Sequence, residues 1–182
     1  MNPLDDTSLL KLINTPQTRE KGYRLLIGHY QKRVYGIIRK MVIIHEDADD
    51  ITQNTFVKAF KSIDKFKGNA SLFTWLYRIA VNESLSFLEK KKKRNFFRLE
   101  DHEHKMIGYL DSSSHIEGDD IQLLLQKLLL KLPEKQRLVF NMKYFENLSY
   151  AQISEITQTS EGALKASYHH AVKKIENEIN GD

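Results

Sequence analysis

Most apolar positions in the chain recur at spacings of three and four, the period of an α-helix. The first such pattern is short: Leu9, Leu10, Leu12 and Ile13 follow Asp6 and Thr7, either of which can cap it. Thr15 then reads as the N-cap of a long helix with Pro16 at its first position. The stripe of that helix is Tyr23, Leu26, Ile27, Tyr30, Val34, Tyr35, Ile37, Ile38, Met41 and Val42. Gly22, Gly28 and Gly36 weaken this helix by about 1 kcal/mol each relative to alanine, and they mark candidate points of close helix packing. A third pattern opens on His45-Glu46-Asp47-Ala48-Asp49-Asp50, whose acids suit the positive end of a helix dipole. Its apolar face is Ala48, Ile51, Thr55, Phe56, Ala59, Phe60 and Ile63. Residues 66–70 are a turn by composition, and Ser71 caps a further long helix. That helix has Leu72, Trp75, Leu76, Ile79, Leu85 and Leu88 inward and ends in Lys90-Lys91-Lys92-Lys93-Arg94. Helices of this kind bundle readily.

Periodicity lapses over residues 95–120, which hold three consecutive serines and two glycines. It returns in a second set. Residues 121–132 form one helix, and Pro133-Glu134 starts another with Leu138, Val139, Met142 and Phe145 as its buried stripe and Asn147 at its end. Ser149 with Gln152 is a capping-box pattern opening a short helix that contains Ile153 and Ile156. Gln158-Thr159 make a turn, and Ser160 caps a last helix with Ala163, Leu164, Ala171, Ile175 and Ile179 inward. A short helix, a tight turn and a second helix after two supporting helices is a helix-turn-helix arrangement.

Composition narrows the class. The chain has 182 residues, 41% of them hydrophobic and 29% charged, so it can build a core. Its 3 prolines leave a gap from Pro16 to Pro133, which fits an all-α protein. With 0 cysteines it has no disulfide, thiolate zinc site or cysteine nucleophile, and fits a reducing cytoplasm. The longest apolar runs are a few residues, such as Met41–Ile44, so no membrane-inserted helix is expected, and the acidic start at Asp5 and Asp6 leads to no expectation of a secretory signal.

The net charge of +4 is unevenly spread. Residues 21–95 carry 16 basic and 7 acidic side chains; residues 96–120 carry 2 and 7; residues 121–182 carry 8 and 7. A basic first half invites a polyanion such as nucleic acid.

Two stretches now carry a resemblance. Asp47–Arg94, reading DADDITQNTFVKAFKSIDKFKGNASLFTWLYRIAVNESLSFLEKKKKR, resembles region 2 of bacterial RNA polymerase sigma factors. Leu132–Ile175, reading LPEKQRLVFNMKYFENLSYAQISEITQTSEGALKASYHHAVKKI, resembles region 4. The pair with only a linker between them resembles the extracytoplasmic-function (ECF) subfamily. The resemblance implies an all-α protein of two small helical domains, residues 1–94 and 121–182, joined by a flexible acidic linker over 95–120. It also implies core RNA polymerase (its beta-prime and beta subunits), promoter DNA and an anti-sigma factor as partners, a cytoplasmic location, and neither cofactor nor metal.

The same resemblance assigns residues. Asp50, Gln53, Asn54 and Val57 share a helix face at spacings of three and four and match the polymerase-docking pattern; the alternative reading is a solvated acidic helix start. Phe56 and Phe60 face the core. Lys67, Gly68, Asn69, Ala70 and Ser71, with Phe73, Trp75, Arg78 and Asn82, match the reader of the minus-ten element. A glycine-containing polar loop allows close approach to a flipped base, and an aromatic that stacks on a base contributes about 1–3 kcal/mol. Trp75 equally suits a core stripe. Leu76 stands where housekeeping members carry a second aromatic, which implies a smaller melting wedge. Lys90–Arg94 reads as a solvated helix end or a phosphate-binding run. The linker's acids would mimic RNA in the polymerase channel. Ser160, Glu161, Gly162, Lys165, Ser167, Tyr168, His169 and His170 lie at or near the face that reads the minus-thirty-five element, with fewer arginines than the family pattern.

Two other classes stand beside this one. An enzyme could use His45, Glu46, Asp47, Asp49 and Asp50 to hold a divalent metal, but no nucleotide-binding, nucleophile-elbow or zinc motif accompanies them. A stand-alone helix-turn-helix regulator would leave the basic first half without a task.

Overall fold

A computed structural model describes residues 5–94, 107–108 and 120–181. Among them every regular element is helical: α1 (Asp6–Asn14), α2 (Arg19–Val42), α3 (His45–Ser62), a 3-10 turn (Ile63–Lys65), α4 (Leu72–Arg94), α5 (Asp120–Leu130), α6 (Glu134–Phe140), a π-turn (Asn141–Phe145), α7 (Tyr150–Thr157) and α8 (Glu161–Asn180). The all-α expectation holds. The linker expected over 95–120 lies outside the described residues, apart from residues 107–108 and Asp120, which opens α5.

The N-terminal caps differ from the sequence reading. Asp5, not Asp6 or Thr7, caps α1 by accepting from the Ser8 amide at 3.0 Å. Asp6 instead turns inward. Its carboxylate accepts from the Tyr30 hydroxyl at 3.0 Å and from the Leu72 amide at 2.8 Å, so it ties α1 to the start of α4. The long second helix begins at Arg19 rather than Pro16. The Thr18 hydroxyl donates to the Leu12 carbonyl at 2.8 Å and Arg19 Nε to the Ile13 carbonyl at 3.0 Å. These bonds satisfy the open end of α1, so residues 15–18 form a turn. At Gly22 an added Cβ would lie 2.7 Å from Ile13 Cγ1 and 2.9 Å from Ile13 N, so α1 and α2 cross there at backbone distance. Gly28 and Gly36 face open space, and the close-packing expectation fails for them.

Helices α2, α3 and α4 form a bundle around Leu26, Val34, Ile37, Ile38, Ala48, Ala59, Leu72 and Leu76. Fully burying one such aliphatic side chain contributes about 1.5–3 kcal/mol. On α4 the inward face also includes Tyr77, Ala80, Val81 and Ser84, while Trp75, Ile79 and Leu85 are half-buried. The stripe is therefore rotated toward Tyr77 relative to the sequence expectation.

In the second half Leu138, Val139 and Met142 are buried as expected, but Phe145 is exposed and Phe140 takes its place inside. The π-turn adds a residue to one turn, so positions after Asn141 rotate off the α-helical register. Asn147, at positive φ, ends the segment. The capping box of α7 is complete: the Gln152 amide donates to Ser149 Oγ at 3.2 Å and the Ser149 amide to Gln152 Oε1 at 2.9 Å. Gln158 closes α7 in the left-handed conformation, and Ser160 caps α8. Along α8, Leu164, Ala171 and Ile175 are buried. Ala163 sits beside that stripe and is exposed; Ile179 lies beyond its last buried turn and is 60% exposed.

The halves share a core. Leu138, Val139, Met142, Leu148, Ile153, Ile156 and Leu164 join the cluster built by α1–α4. A smaller cluster of Leu128, Leu129, Leu132, Phe140, Ala171 and Ile175 belongs to the second half alone.

Candidate polymerase and promoter interfaces

Helix α3 has two unlike faces. Ala48, Ile51, Thr52, Thr55, Phe56 and Ala59 are buried. The two threonine hydroxyls donate to the carbonyls of Ala48 and Ile51 at 2.7 and 2.8 Å, which lets them enter an apolar core without an unmet hydrogen bond. Phe60 is half-buried and stacks on Tyr23 with centroids 4.2 Å apart. On the opposite face Asp50, Gln53, Asn54 and Val57 are all exposed, Val57 to 41%. One apolar side chain among three hydrogen-bonding ones is the chemistry of a docking stripe. Asp47 is off this stripe, bound to Lys91 Nζ at 2.6 Å.

The loop before α4 turns at Gly68, whose φ of +72° strains any residue with a Cβ. Lys67, Gly68, Asn69 and Ser71 are exposed and Ala70 is half-buried. Ser71 caps α4 as expected, accepting from the Thr74 amide at 3.1 Å. Trp75 is half-buried and leans on Phe66, centroids 5.3 Å apart. It and the exposed Asn82 stay accessible. Two predicted DNA contacts are engaged elsewhere. Phe73 lies under the Arg33 guanidinium at 3.9 Å and against Tyr77 at 4.2 Å, so its faces are taken by a cation–π contact and a ring contact. Arg78 donates to the backbone carbonyl of Glu155 in α7. Leu76 is fully buried, so a side chain there supplies no wedge. In the basic run, Lys91 holds Asp47 and Lys92 holds Glu134 at 2.9 Å.

Helix α8 presents Ser160, Glu161, Gly162, Lys165, His169 and His170 to solvent. The Lys165 ammonium is 3.9 Å from Glu161 and 5.7 Å from the Tyr150 ring centroid, a position over the first turns of the helix. Ser167 is half-buried. Tyr168 also has partners within the protein. Its ring stacks on Phe140 at 5.7 Å and meets Tyr150 edge-on at 6.5 Å, and burial pushes its phenol up from the ordinary value. It is half-buried, and its ring contacts brace α8.

The sequence reading missed one group altogether. Glu146, next after the π-turn, accepts from Lys40 Nζ at 2.7 Å and from the Tyr77 hydroxyl at 3.1 Å. Burial first, and then the Glu146 charge, push the Tyr77 phenol well above the usual tyrosine range. Tyr77 was legible as an inward position from its spacing of four to Phe73 and Val81; its partner, 69 residues away, leaves no local signal.

Comparison with known proteins identifies both halves of the chain. The sigma-70 region 2 family matches residues 26–94 and the sigma-70 region 4 family residues 122–175. The ECF RNA polymerase sigma-E factor of Haemophilus influenzae is 30% identical over 184 residues, covering 97% of this chain and 96% of that protein. The RNA polymerase sigma-H factor of Pseudomonas aeruginosa is 27% identical, with 86% of each chain covered. Two solved structures share the fold. CnrH in complex with the cytosolic domain of CnrY has a TM-score of 0.68 at 20% identity, covering 97% of this chain and 98% of that one. The sigma factor RpoE in complex with the anti-sigma factor NepR from Bartonella quintana has a TM-score of 0.68 at 19% identity, covering 89% and 99%. With both regions matched in order over most of its length, the chain belongs to the ECF subfamily of RNA polymerase sigma factors, which direct transcription initiation.

Proposed function

We propose that the two halves divide the work of initiation between polymerase docking and promoter reading. Asp50, Gln53, Asn54 and Val57 dock on the beta-prime subunit of core polymerase. The loop Lys67-Gly68-Asn69-Ala70-Ser71, with Trp75, Arg78 and Asn82, reads the minus-ten element, and Phe73 supports that surface from beneath. The N-terminal turns of α8, with Ser160, Glu161, Gly162, Lys165, Ser167, His169 and His170, read the minus-thirty-five element beside the beta subunit. Tyr168 braces them. The chain supplies recognition and strand opening, and the polymerase supplies the chemistry. The protein works in the cytoplasm and is held in check by an anti-sigma partner, as the RpoE neighbour is bound to one.

The observation that carries this reading is the uncovered stripe of α3, opposite a fully packed face. The Gly68 turn supports the second role, because a backbone at positive φ without a Cβ admits a flipped base closely. Titrating labelled protein into core polymerase tests the first role. Asp50→Ala is expected to weaken the complex about tenfold, and Val57→Asp more, as for side chains central to an interface. Lys165→Ala should leave it unchanged. Equal affinity for wild type and Asp50→Ala would overturn the docking assignment.

A further inference from the structure

We infer that a cavity between the end of α2 and the second half of the chain binds a small organic acid: a carboxylate on an apolar body of about one ring, carrying a hydroxyl. The site stands apart from the surfaces proposed for polymerase and promoter.

The cavity has a volume of about 200 Å³. A cavity of about 150 Å³ holds benzene, so this one has room for a ring and a charged group but not for a nucleotide. Its walls differ in kind. Ile43 after α2, Leu129 and Leu130 in the last turn of α5, and Phe145 form an apolar lining. Arg39, Lys40 and Arg137 bring positive charge to it, and no acidic side chain lines it among the described residues. Glu146 offsets one of these charges, through its ion pair with Lys40 at 2.7 Å. Arg137 is only 7% exposed, so its charge acts where water is scarce and attraction for an anion is stronger. The planar guanidinium fork also matches a carboxylate.

The end of α2 would ordinarily repel an anion, because its last carbonyls carry the negative end of the helix dipole. Here those carbonyls are taken. The Arg39 carbonyl accepts from the Ile43 amide at 2.9 Å, the Lys40 carbonyl from Asn141 Nδ2 at 3.3 Å, and the Val42 carbonyl from the Ile44 amide at 2.8 Å. The last of these bonds closes a three-residue turn over Ile43, whose φ of +66° is strained for a β-branched side chain. Strain of this kind persists only where its surroundings enforce it, and ligand clamps are among its usual places.

Asn141 sets the need for a hydroxyl. It lines the cavity and is 1% exposed. Its Nδ2 donates to the Lys40 carbonyl, which leaves Oδ1 as the acceptor, and that oxygen is buried with no hydrogen-bond partner among the described residues. An unmatched buried acceptor is costly, and a ligand hydroxyl seated at this wall satisfies it. Cationic, apolar and accepting groups thus converge on one ligand class.

The test titrates the full chain with para-hydroxybenzoate and follows methyl resonances by NMR, with benzoate, phenol and inorganic phosphate as separate arms. Para-hydroxybenzoate should give saturable shifts at the methyl groups of Ile43, Leu129 and Leu130. Benzoate lacks the donor and phenol lacks the charge, so each should bind about tenfold more weakly. Phosphate should leave these methyl groups unmoved. Arg39→Gln, at a half-buried position, should weaken both carboxylates about tenfold and leave phenol unchanged. Asn141→Leu should abolish the advantage of para-hydroxybenzoate over benzoate while benzoate itself binds as before. If that variant fails to fold, Arg39→Gln and the ligand series still decide. Shifts that do not saturate, equal shifts from phosphate, or carboxylate binding untouched by Arg39→Gln would overturn the site.

Discussion

Helices α3 and α4 lie side by side in one bundle, yet they present their outer faces in opposite ways. The outer stripe of α3 is open, and Asp50, Gln53, Asn54 and Val57 have no role in the core. The outer side of α4 is half engaged: Arg78 is bound by α7, Phe73 is held between Arg33 and Tyr77, and the neighbouring Tyr77 is bonded to Glu146. A surface used first needs no rearrangement. A surface used after docking can be covered until then, and its cover can share the core of the protein. On the proposed function, the open stripe of α3 is the surface used first.

The largest expected effect lies in the shared core. Met142 is fully buried in the cluster that spans both halves. Met142→Ala should cost about 2–5 kcal/mol in denaturant unfolding. A loss well below that would mean the halves do not share this core in solution. Next comes the open stripe. Asp50→Ala combined with Val57→Asp should lower core-polymerase affinity about a hundredfold while changing unfolding by less than about 0.5 kcal/mol, as expected for exposed positions. Calorimetry beside the binding titration separates the two quantities. A smaller effect is expected from Lys165→Ala, which should cost about 1–3 kcal/mol of discrimination at one base pair of the minus-thirty-five element, read by competition between promoter variants. Ser149→Ala removes the capping box of α7 and should cost about 1 kcal/mol of stability. The smallest effect at neutral pH concerns Tyr77. Its folded-state phenol is shifted upward, so its contribution to stability is complete below about pH 10 and is lost as the pH rises above that, where the unfolded phenol ionises first. Unfolding measured on either side of pH 10 should show a steeper decline for wild type than for Tyr77→Phe.

Much of this was legible in the chain. The inward stripes of α2 and α3 follow the helical period residue by residue, and the Ser149–Gln152 box and the Ser71 and Ser160 caps are local signals that the fold obeys. Errors arose where a non-local contact overruled a local one. Pro16 is a good helix start, but Thr18 and Arg19 are taken by the end of α1, so the helix waits three residues. Phe145 fits the α-helical stripe of Leu138 and Met142 until the π-turn rotates it outward, and no residue type announces such a turn. Tyr168 lies among exposed neighbours, and Phe140 and Tyr150 hold its ring, contacts that spacing along one helix does not show. Spacing placed the four residues of the α3 stripe on one exposed face, because such a face is a single-helix property. The cover over Arg78 was invisible, because it depends on residues far along the chain.

Transcription by core polymerase with mapped start sites tests the central claim most directly. Wild-type protein should start transcripts at a defined set of promoters. Asp50→Ala should lower initiation at all of them alike, and Lys165→Ala should change their ranking with little change in polymerase binding. Absence of initiation by the wild type with the core enzyme of its own organism, or the same loss pattern from both variants, would contradict the account.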